Sequence, residues 1–246
     1  MKLSAIIIAK NAEDLITDCL QSVLFANEII VVDSGSTDKT KDIAKKFGAK
    51  VVNGIENDFA ENRNIGLQHA KGEWVFYIDT DERVSDTLQA SIRKAINSDT
   101  FLAYKIQRKN FYLGNNPWPK IEQLERLFLR TKLKGWYGKL HETPQFTGSM
   151  GLLNGYLLHY THRDLSSMLG KTIAWSRIEA KLRLDANHPK IAIWRLIRVM
   201  ATGFWDSYIV QGGLKAGTMG FIESMYQAYS MFVTYATLWE MQHNEK

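Results

Sequence analysis

Cysteine is almost absent from this 246-residue sequence. The single one, Cys19, excludes an intrachain disulfide and suits a reducing compartment. It falls in an apolar helical pattern, which predicts a place in the core rather than a reactive thiol. The length and a hydrophobic share of 45% predict one large globular domain, or one domain with an appendage.

Long apolar segments are also missing. Near the C-terminus the longest uncharged stretch, residues 224–239, contains Gln, Ser, Thr and Tyr and is shorter than the roughly 18–20 apolar residues of a membrane-spanning helix. The first apolar run is short and is followed at once by Lys10 and Asn11, so no signal peptide is expected. We therefore predict a cytoplasmic protein.

Neither of the two common glycine-rich phosphate loops is present. No G-x-G-x-x-G follows the first predicted strand, and no G-x-x-x-x-G-K-[ST] occurs anywhere. A nucleotide diphosphate would therefore need a metal ion to neutralise its charge. A nucleotidyltransferase, which would need a basic loop for a triphosphate, is disfavoured for the same reason.

Acidic and basic residues are distributed unevenly along the chain. The net charge is −4 over residues 1–100, +6 over residues 101–170 and +3 over residues 171–246. A basic second half indicates an anionic partner, either nucleic acid or a membrane surface. The aromatic residues lie among apolar ones rather than in a basic stripe, and no nucleic-acid-binding motif occurs, so we expect no nucleic acid.

The first hundred residues alternate short apolar runs with helical patterns. This alternation predicts an α/β fold, in which a mostly parallel sheet is flanked by helices. Right-handed crossovers bring the carboxyl ends of the strands to one edge, where ligands bind in open α/β sheets. Strands are predicted at residues 3–9, 28–32, 49–52 and 73–78, and helices at residues 13–24, 38–47, 59–70 and 86–96.

Carboxylates follow two of the predicted strands. Asp33 comes after the second strand, and Asp79 and Asp81 come after the fourth. Unpaired carboxylates are costly beside a buried strand, whereas a hard divalent ion such as Mn²⁺ or Mg²⁺ binds oxygen ligands of this kind. For an isolated D-x-D, an ordinary acidic cluster at a helix N-terminus is the alternative interpretation. Arg63 is a candidate for phosphate or base contact, or for a solvated helix face.

Three stretches resemble successive motifs of family 2 glycosyltransferases with a GT-A fold: IIIAKNAEDLITDCLQSV, IIVVDSGSTDKT and FAENRNIGLQHAKGEWVFYIDTDERV. The order and spacing are most similar to the lipopolysaccharide core β-glucosyltransferases, in which the second motif reads D-S-G-S-T-D. Ser34 stands where many relatives have a second Asp. The resemblance implies a nucleotide-sugar donor, with a UDP-sugar favoured, and a divalent metal cofactor.

The resemblance also implies roles for single residues on the donor side. Asp33 would bind the nucleobase, Asp38 would support that loop, and Arg63 would lie near the nucleotide. Asp79 and Asp81 would hold the metal and the sugar nucleotide.

Residues 97–164 are expected to form an acceptor half that completes the site. By resemblance, residues 135–138 are the acceptor loop, and Trp136 and His141 are its contacts. Residues 110–119, NFYLGNNPWP, have the composition of a loop, and residues 124–131, LERLFLRT, that of a strand.

A general base and a histidine ligand complete the predicted machinery. Glu142 is the predicted catalytic base, with Glu82 as its rival. His159, which ends a predicted strand, is preferred to His162 as the metal ligand. The predicted reaction is inverting transfer to a cell-envelope or lipid-linked glycan. The alternatives are a catalytically inactive sugar-nucleotide-binding module and a polyprenyl-phosphate sugar transferase.

Residues 165–246 are predicted to form a helical extension behind a GT-A domain at residues 1–164, with Asp164 as the cap of its first helix. Tryptophans next to basic residues are typical of a helix at a membrane interface, here one peripheral on the inner face of the cytoplasmic membrane. A helical pair packed on the sheet and a dimer interface are the alternatives. The tryptophans are Trp175, Trp194, Trp205 and Trp239.

Overall fold

The computed structural model describes residues 2–98, 100–138 and 142–244. The strands formed by these residues are β1 (Leu3–Ala9), β2 (Glu28–Asp33), β3 (Lys50–Asn53), β4 (Trp74–Asp79), β5 (Glu82–Val84), β6 (Ala103–Tyr112), β7 (Asn116–Leu129), β8 (Leu133–Tyr137), β9 (Thr143–Phe146) and β10 (Met150–Tyr160). The α-helices are α1 (Ile16–Ser22), α2 (Thr40–Lys46), α3 (Phe59–His69), α4 (Asp86–Ala95), α5 (Leu165–Asp185), α6 (Ile193–Trp205) and α7 (Gly217–Asn244).

The main sheet has the strand order β3-β2-β1-β4-β7-β6-β10-β5. Strands β3, β2, β1 and β4 are parallel, whereas β7 runs antiparallel to β4 and β5 runs antiparallel to β10. Strands β8 and β9 form a separate antiparallel pair. The predicted α/β fold with a parallel core is therefore confirmed, and the carboxyl ends of β1, β2 and β4 share one edge.

The parallel strands are buried on both faces, as their unbroken apolar composition predicts. Every residue of β1 is buried, and helix α3 packs closely on it. A Cβ at Gly66 of α3 would collide with the Ile6 side chain, so the helix can approach the sheet only because glycine stands there. This packing fixes α3, and with it Arg63, relative to the strand ends.

Some predicted boundaries were wrong for local reasons. Helix α1 begins at Ile16, later than predicted, because the amides of Leu15 and Ile16 both bond to the Ala12 carbonyl and form a turn first. Helix α2 begins at Thr40 rather than at residue 38, and the Asp38 carboxylate accepts from the Thr40 amide at 3.0 Å. The cap predicted at Asp164 is confirmed, since its carboxylate accepts from the amide of residue 167 at 2.8 Å.

The loop predicted at residues 110–119 is also wrong for most of its length. Strand β6 runs to Tyr112 and β7 begins at Asn116, which leaves a turn of three residues between them. Leu113 and Gly114 take positive φ angles of 44° and 88° in this turn. The Asn116 side chain donates to the Leu113 carbonyl at 2.8 Å, so the asparagine and glycine close a hairpin rather than a loop.

Contacts divide the chain into two compact units. The first comprises residues 1–109 and 122–159, and the second comprises residues 110–121 and 160–246. In the second unit, α7 packs against both α5 and α6 around a small core that includes Val199, Tyr235 and Leu238. The division at residue 164 into folding domains stays a prediction. None of the helices in the described part of the chain is both long enough and apolar enough to cross a bilayer.

Candidate active site

The loops that follow β1 and β2 are joined by hydrogen bonds. The Asn11 amide donates to the Ser36 hydroxyl at 2.9 Å, and the Asn11 side chain accepts from the Thr37 amide at 2.8 Å. Asn11 has a positive φ of 47°, a conformation that asparagine tolerates better than most residues. These bonds make the two loops one rigid rim at the carboxyl end of the parallel strands.

Asp38 also joins these two loops, because its carboxylate accepts hydrogen bonds from both. One of its oxygens accepts from the Glu13 amide at 3.0 Å, and the other accepts from the amide and hydroxyl of Thr40. Partial burial would raise the pKa of Asp38, but the Thr40 hydroxyl and these amides favour the carboxylate and lower it. The structure thus places Asp38 where the resemblance expected it to support the loop.

Asp33 ends β2 and is buried under this rim. Its Oδ2 accepts from the amides of Gly35 and Ser36 at 3.2 and 3.0 Å. Its Oδ1 is buried and has no hydrogen-bond partner among the described residues. Because an unsatisfied buried acceptor is costly, this oxygen marks a position where a ligand N–H would be stabilising.

Arg63 lies at the centre of the site. This buried residue of α3 donates through Nε and Nη2 to Glu142 Oε1 at 3.0 and 2.8 Å, and through Nη2 to Asp79 Oδ1 at 3.2 Å. Its guanidinium also stacks on aromatic rings, 4.8 Å from the Trp136 centroid and 5.6 Å from that of Tyr77. A single cation thereby connects the predicted donor side with the predicted catalytic base.

Asp79 is bound on both oxygens by arginines. Its second oxygen, Oδ2, accepts from Arg126 Nη2 at 2.7 Å. Burial would raise the pKa of Asp79, but Arg126 and then Arg63 outweigh it and hold the pKa well below its usual 3.8. The two arginines neutralise the charge of Asp79 and fix its orientation, which suits donor positioning; its role as a metal ligand stays a prediction.

Asp81 and His159 are brought together, as predicted for a metal site. The pairing of β10 with β5 sets His159 opposite Glu82, and His159 Nε2 lies 3.3 Å from Asp81 Oδ2. Among the described residues no group of three or more His, Cys, Asp or Glu side chains is arranged to hold a metal. The described chain thus offers two ligands here.

His162 is not part of this constellation. It belongs to the second unit, where its Nδ1 lies 3.0 Å from both carboxylate oxygens of the buried Glu223. Its ring also stacks on Tyr112 with centroids 5.1 Å apart. These contacts give His162 a structural place, and the preference for His159 as the metal ligand stays a prediction.

Glu82, the rival base, is fully buried. Its Oε2 accepts from the Asp79 amide at 3.0 Å, and its Oε1 lies 3.3 Å from Arg108 Nη1 and 3.5 Å from Arg126 Nη2. A carboxylate enclosed in this way cannot reach an acceptor hydroxyl. Glu82 instead fixes the turn that carries the D-x-D.

Glu142 lies at a pocket of about 230 Å³ that is also lined by Trp136, Arg126 and residues of β7 and β9. The loop predicted at residues 135–138 is mostly strand β8, which pairs with β9. Trp136 also exchanges two hydrogen bonds with the Asn64 side chain, at 2.8 and 3.0 Å. Trp136 is therefore held in place while it lines the pocket. The other predicted acceptor contact, His141, lies outside the described residues.

Comparison with known proteins identifies the family. The family model described as "Glycosyl transferase family 2" matches residues 4–156. The chain belongs to this family. Of its relatives, the lipopolysaccharide core biosynthesis glycosyltransferase LpsC of Rhizobium meliloti (strain 1021) is 27% identical, with 98% of this chain and 93% of LpsC covered. An uncharacterised glycosyltransferase of Rickettsia bellii (strain RML369-C) is 30% identical, with 98% and 87% covered.

Solved structures share the GT-A fold of this family 2 glycosyltransferase. The mannosyltransferase PcManGT of Pyrobaculum calidifontis, solved with GDP-Man and Mn²⁺, has a TM-score of 0.55 and 15% identity, with 97% of this chain and 87% of PcManGT covered. TarS of S. aureus, solved with UDP-GlcNAc, has a TM-score of 0.53 and 14% identity, with 100% and 93% covered.

The sequence did not predict three arginines that organise the glycosyltransferase site. Arg126 binds Asp79, and Arg108 binds Glu122 through two nitrogens, at 2.9 and 2.6 Å. Arg83 donates to the carbonyls of Thr80 and Leu15, both at 2.8 Å, and so fixes the D-x-D turn against the start of α1. The signal for Arg126 was available, since it interrupts the apolar run of a predicted strand, where a buried arginine requires a carboxylate partner.

Proposed function

We propose that this protein transfers a sugar, with inversion, from a UDP-sugar to a glycan or glycolipid acceptor of the cell envelope. The observation that carries the proposal is the bridge made by Arg63, which binds Asp79 at the strand end and Glu142 at the pocket. The bridge sets a donor-side carboxylate and a candidate base on two sides of one cation.

The donor is assigned from the rim around Asp33. Its unpartnered Oδ1 fits a ring N–H of a nucleobase, a group that both uracil and guanine present. TarS, a neighbour in fold, was solved with UDP-GlcNAc, and this supports a UDP-sugar. PcManGT, solved with GDP-Man, makes a GDP-sugar the competing donor.

A divalent ion fits beside Asp81 and His159. Carboxylate oxygen and imidazole nitrogen both suit Mn²⁺, and the two atoms lie 3.3 Å apart, close enough to converge on one ion. An ion of this kind commonly takes one or two protein ligands and completes its shell with phosphate oxygens and water. When bound, it would neutralise the charge of the donor diphosphate. Asp79, held by its two arginines, would position the donor.

Glu142 would act as the general base. An acceptor hydroxyl in the pocket attacks the anomeric carbon, the new C–O bond forms as the bond to the phosphate oxygen breaks, and the hydroxyl proton passes to the Glu142 carboxylate. The nucleoside diphosphate leaves with the bonding electrons. A single displacement inverts the anomeric centre, so an α-linked donor gives a β-glycoside.

The acceptor class rests on kinship with LpsC, whose name places it in lipopolysaccharide core biosynthesis. A glycolipid acceptor would be met at the inner face of the cytoplasmic membrane, and we include this peripheral location in the proposal. The identity of the donor, the need for a metal ion and the transfer reaction can each be tested separately.

The test is a panel of UDP- and GDP-sugars bound to the purified protein with and without Mn²⁺, followed by a donor-hydrolysis assay. We expect a UDP-sugar to bind tightly only with metal and to be hydrolysed slowly when no acceptor is present. Binding of a GDP-sugar alone would reassign the donor. Binding without any hydrolysis or transfer would favour the inactive binding module.

A further inference from the structure

Helix α6 turns its apolar side away from the core of the second unit. Ile193, Trp194, Ile197 and Trp205 are 79%, 55%, 65% and 62% exposed, while Val199 on the opposite side is buried in the core cluster. An amphipathic helix of a soluble protein normally buries its apolar stripe. The reverse orientation here leaves an apolar face that no described residue of the second unit covers.

The exposed face continues beyond the end of α6. Val210 and Leu214, in the turns that follow the helix, are also exposed. At the start of α7 the exposed Phe221 ring lies 5.9 Å from that of Phe204 and 6.1 Å from that of Tyr208, centroid to centroid. Contiguous exposed apolar side chains are typical of interaction surfaces.

Cations border the apolar face. The guanidiniums of Arg195 and Arg198 lie 5.1 and 5.4 Å from the Trp194 ring centroid. Residues 190–216 contain four Lys or Arg and one acid, Asp206, whose carboxylate accepts from the Gln211 side chain at 2.5 Å. The surface therefore combines exposed tryptophan and isoleucine with a net positive charge.

We propose that this surface, made of Ile193, Trp194, Arg195, Ile197, Arg198 and Trp205 and called here the α6 face, docks on an anionic lipid bilayer. Tryptophan rings partition to the headgroup level, isoleucines below them enter the acyl boundary, and arginines bind lipid phosphates. The inference rests on the proposed membrane location and names the residues that produce it.

Charge decides between lipid and a second copy of the chain. In a twofold symmetric dimer the same patch would meet itself, so the interface would contain Arg195 and Arg198 of both copies, four arginines in all. Like charges brought together across an interface are unfavourable. An anionic bilayer complements both the apolar and the cationic part of the α6 face.

The experiment is flotation of the purified full chain with phosphatidylglycerol vesicles or with phosphatidylcholine vesicles, at low and high salt. We expect binding to the anionic vesicles that weakens with salt. Arg195→Glu with Arg198→Glu should lower the partition coefficient at least about tenfold. Trp194→Ser with Ile197→Ser should lower it comparably, because the apolar anchor is lost.

Matched controls lie on exposed positions of the first unit. Lys45→Glu with Lys46→Glu makes the same change in net charge on α2, and Leu24→Ser removes an equally exposed apolar side chain. Both should bind like the wild type. Equal losses in the control pair would show a net-charge effect and overturn the assignment, as would wild-type protein that ignores anionic vesicles at low salt.

Light scattering, which measures the molar mass in solution, tests the alternative that a second copy of the chain binds the α6 face. A wild-type dimer that Ile197→Ser converts to a monomer, without lipid binding in either form, would assign the α6 face to a second copy and overturn the proposal. Flotation uses neither donor nor acceptor. Its failure would therefore leave the transfer reaction standing, and failure of donor binding would leave the lipid result standing.

Discussion

The two compact units place charged and apolar side chains in opposite ways. In the first unit, charged residues are buried at the sheet edge, among them Arg63, Glu82 and Arg126. In the second unit, apolar residues face outward: nineteen of the twenty-four large hydrophobic side chains that are exposed among the described residues lie there. Buried charge and exposed apolar area are both departures from the usual arrangement, and each coincides with a site proposed above.

The two units also differ in how they use buried polar side chains. Its helices are joined by buried hydroxyl pairs, with Ser176 and Thr234 at 2.9 Å and Ser207 and Ser224 at 3.0 Å. Small polar contacts of this kind allow helices to approach closely but bury little apolar area. The first unit thus concentrates buried polar side chains in the candidate site, whereas the second uses them for packing and leaves apolar area exposed.

The largest expected effect concerns the site. Glu142→Gln keeps the size of the side chain and an acceptor for Arg63, but it cannot take up a proton. We expect turnover to fall by about 10²–10⁴-fold with donor affinity nearly unchanged. Steady-state kinetics and donor titration measure both, and Glu125→Gln in the same pocket is the control. Normal turnover in Glu142→Gln would remove the base assignment.

The next effect concerns the metal. Asp81→Asn removes one of the two ligands that the described chain offers, so Mn²⁺-dependent donor binding should be lost while the fold stays intact. Mn²⁺ titration followed by electron paramagnetic resonance, and calorimetry with the UDP-sugar, measure the two steps. Asp86→Asn, an exposed acid on α4, should behave as wild type. Undiminished Mn²⁺ binding by Asp81→Asn would show that the ion lies elsewhere.

A third prediction tests the buried charges directly. Arg126→Met leaves Asp79 and Glu82 with fewer partners inside the protein, and unpairing a buried charge is costly. The free energy of unfolding should fall by about 3 kcal/mol, as measured by urea denaturation. Lys105→Met on β6 is the control: it removes a half-exposed ion pair with Glu125 and should change the free energy of unfolding little. A neutral Arg126→Met would mean that the network adds nothing to stability.

A fourth prediction follows from the pKa of Asp79. Arg126 and Arg63 outweigh burial and lower this pKa, so the carboxylate stabilises the fold above about pH 4 and that contribution is lost as the pH falls further. Asp79→Asn should be less stable at pH 7 by about 1–3 kcal/mol and should lose stability less steeply below about pH 4. Urea midpoints from about pH 7 to pH 3 measure this, with Asp86→Asn as the reference; parallel curves for the two variants would contradict it.

Sequence periodicity was sufficient for the parallel half of the sheet. Unbroken apolar runs such as that of β1 specify buried strands, and the acids at the ends of β2 and β4 could be assigned to one edge by topology alone. The antiparallel strands were harder, because β6 and β7 are long, mixed in polarity and joined by an asparagine- and glycine-rich turn that reads as a loop. Their pairing depends on contacts between residues far apart in the chain.

The candidate site, like the sheet, could be predicted only in part. Asp81 and His159 could be paired because both were expected at strand ends. The bridge from Arg63 to Glu142 spans 79 residues of sequence and could not be derived, since it depends on how β8 packs against α3. The outward orientation of α6 was predicted only as one of several alternatives, because a helical pattern predicts an apolar face but not the side on which that face lies.

The smallest expected effect sharpens the contrast between the units. Ile197 is exposed, so Ile197→Ser should change the free energy of unfolding by no more than about 0.5 kcal/mol, the range of ordinary surface substitutions. Ile78→Val in β4 is the reference. It removes fewer atoms than Ile197→Ser, but it should still lower the free energy of unfolding by about 0.5–1.5 kcal/mol because Ile78 is fully buried. Urea denaturation of both variants provides the comparison. A cost for Ile197→Ser above that of Ile78→Val would mean that α6 packs its apolar side within the protein, and the difference between the two units would disappear.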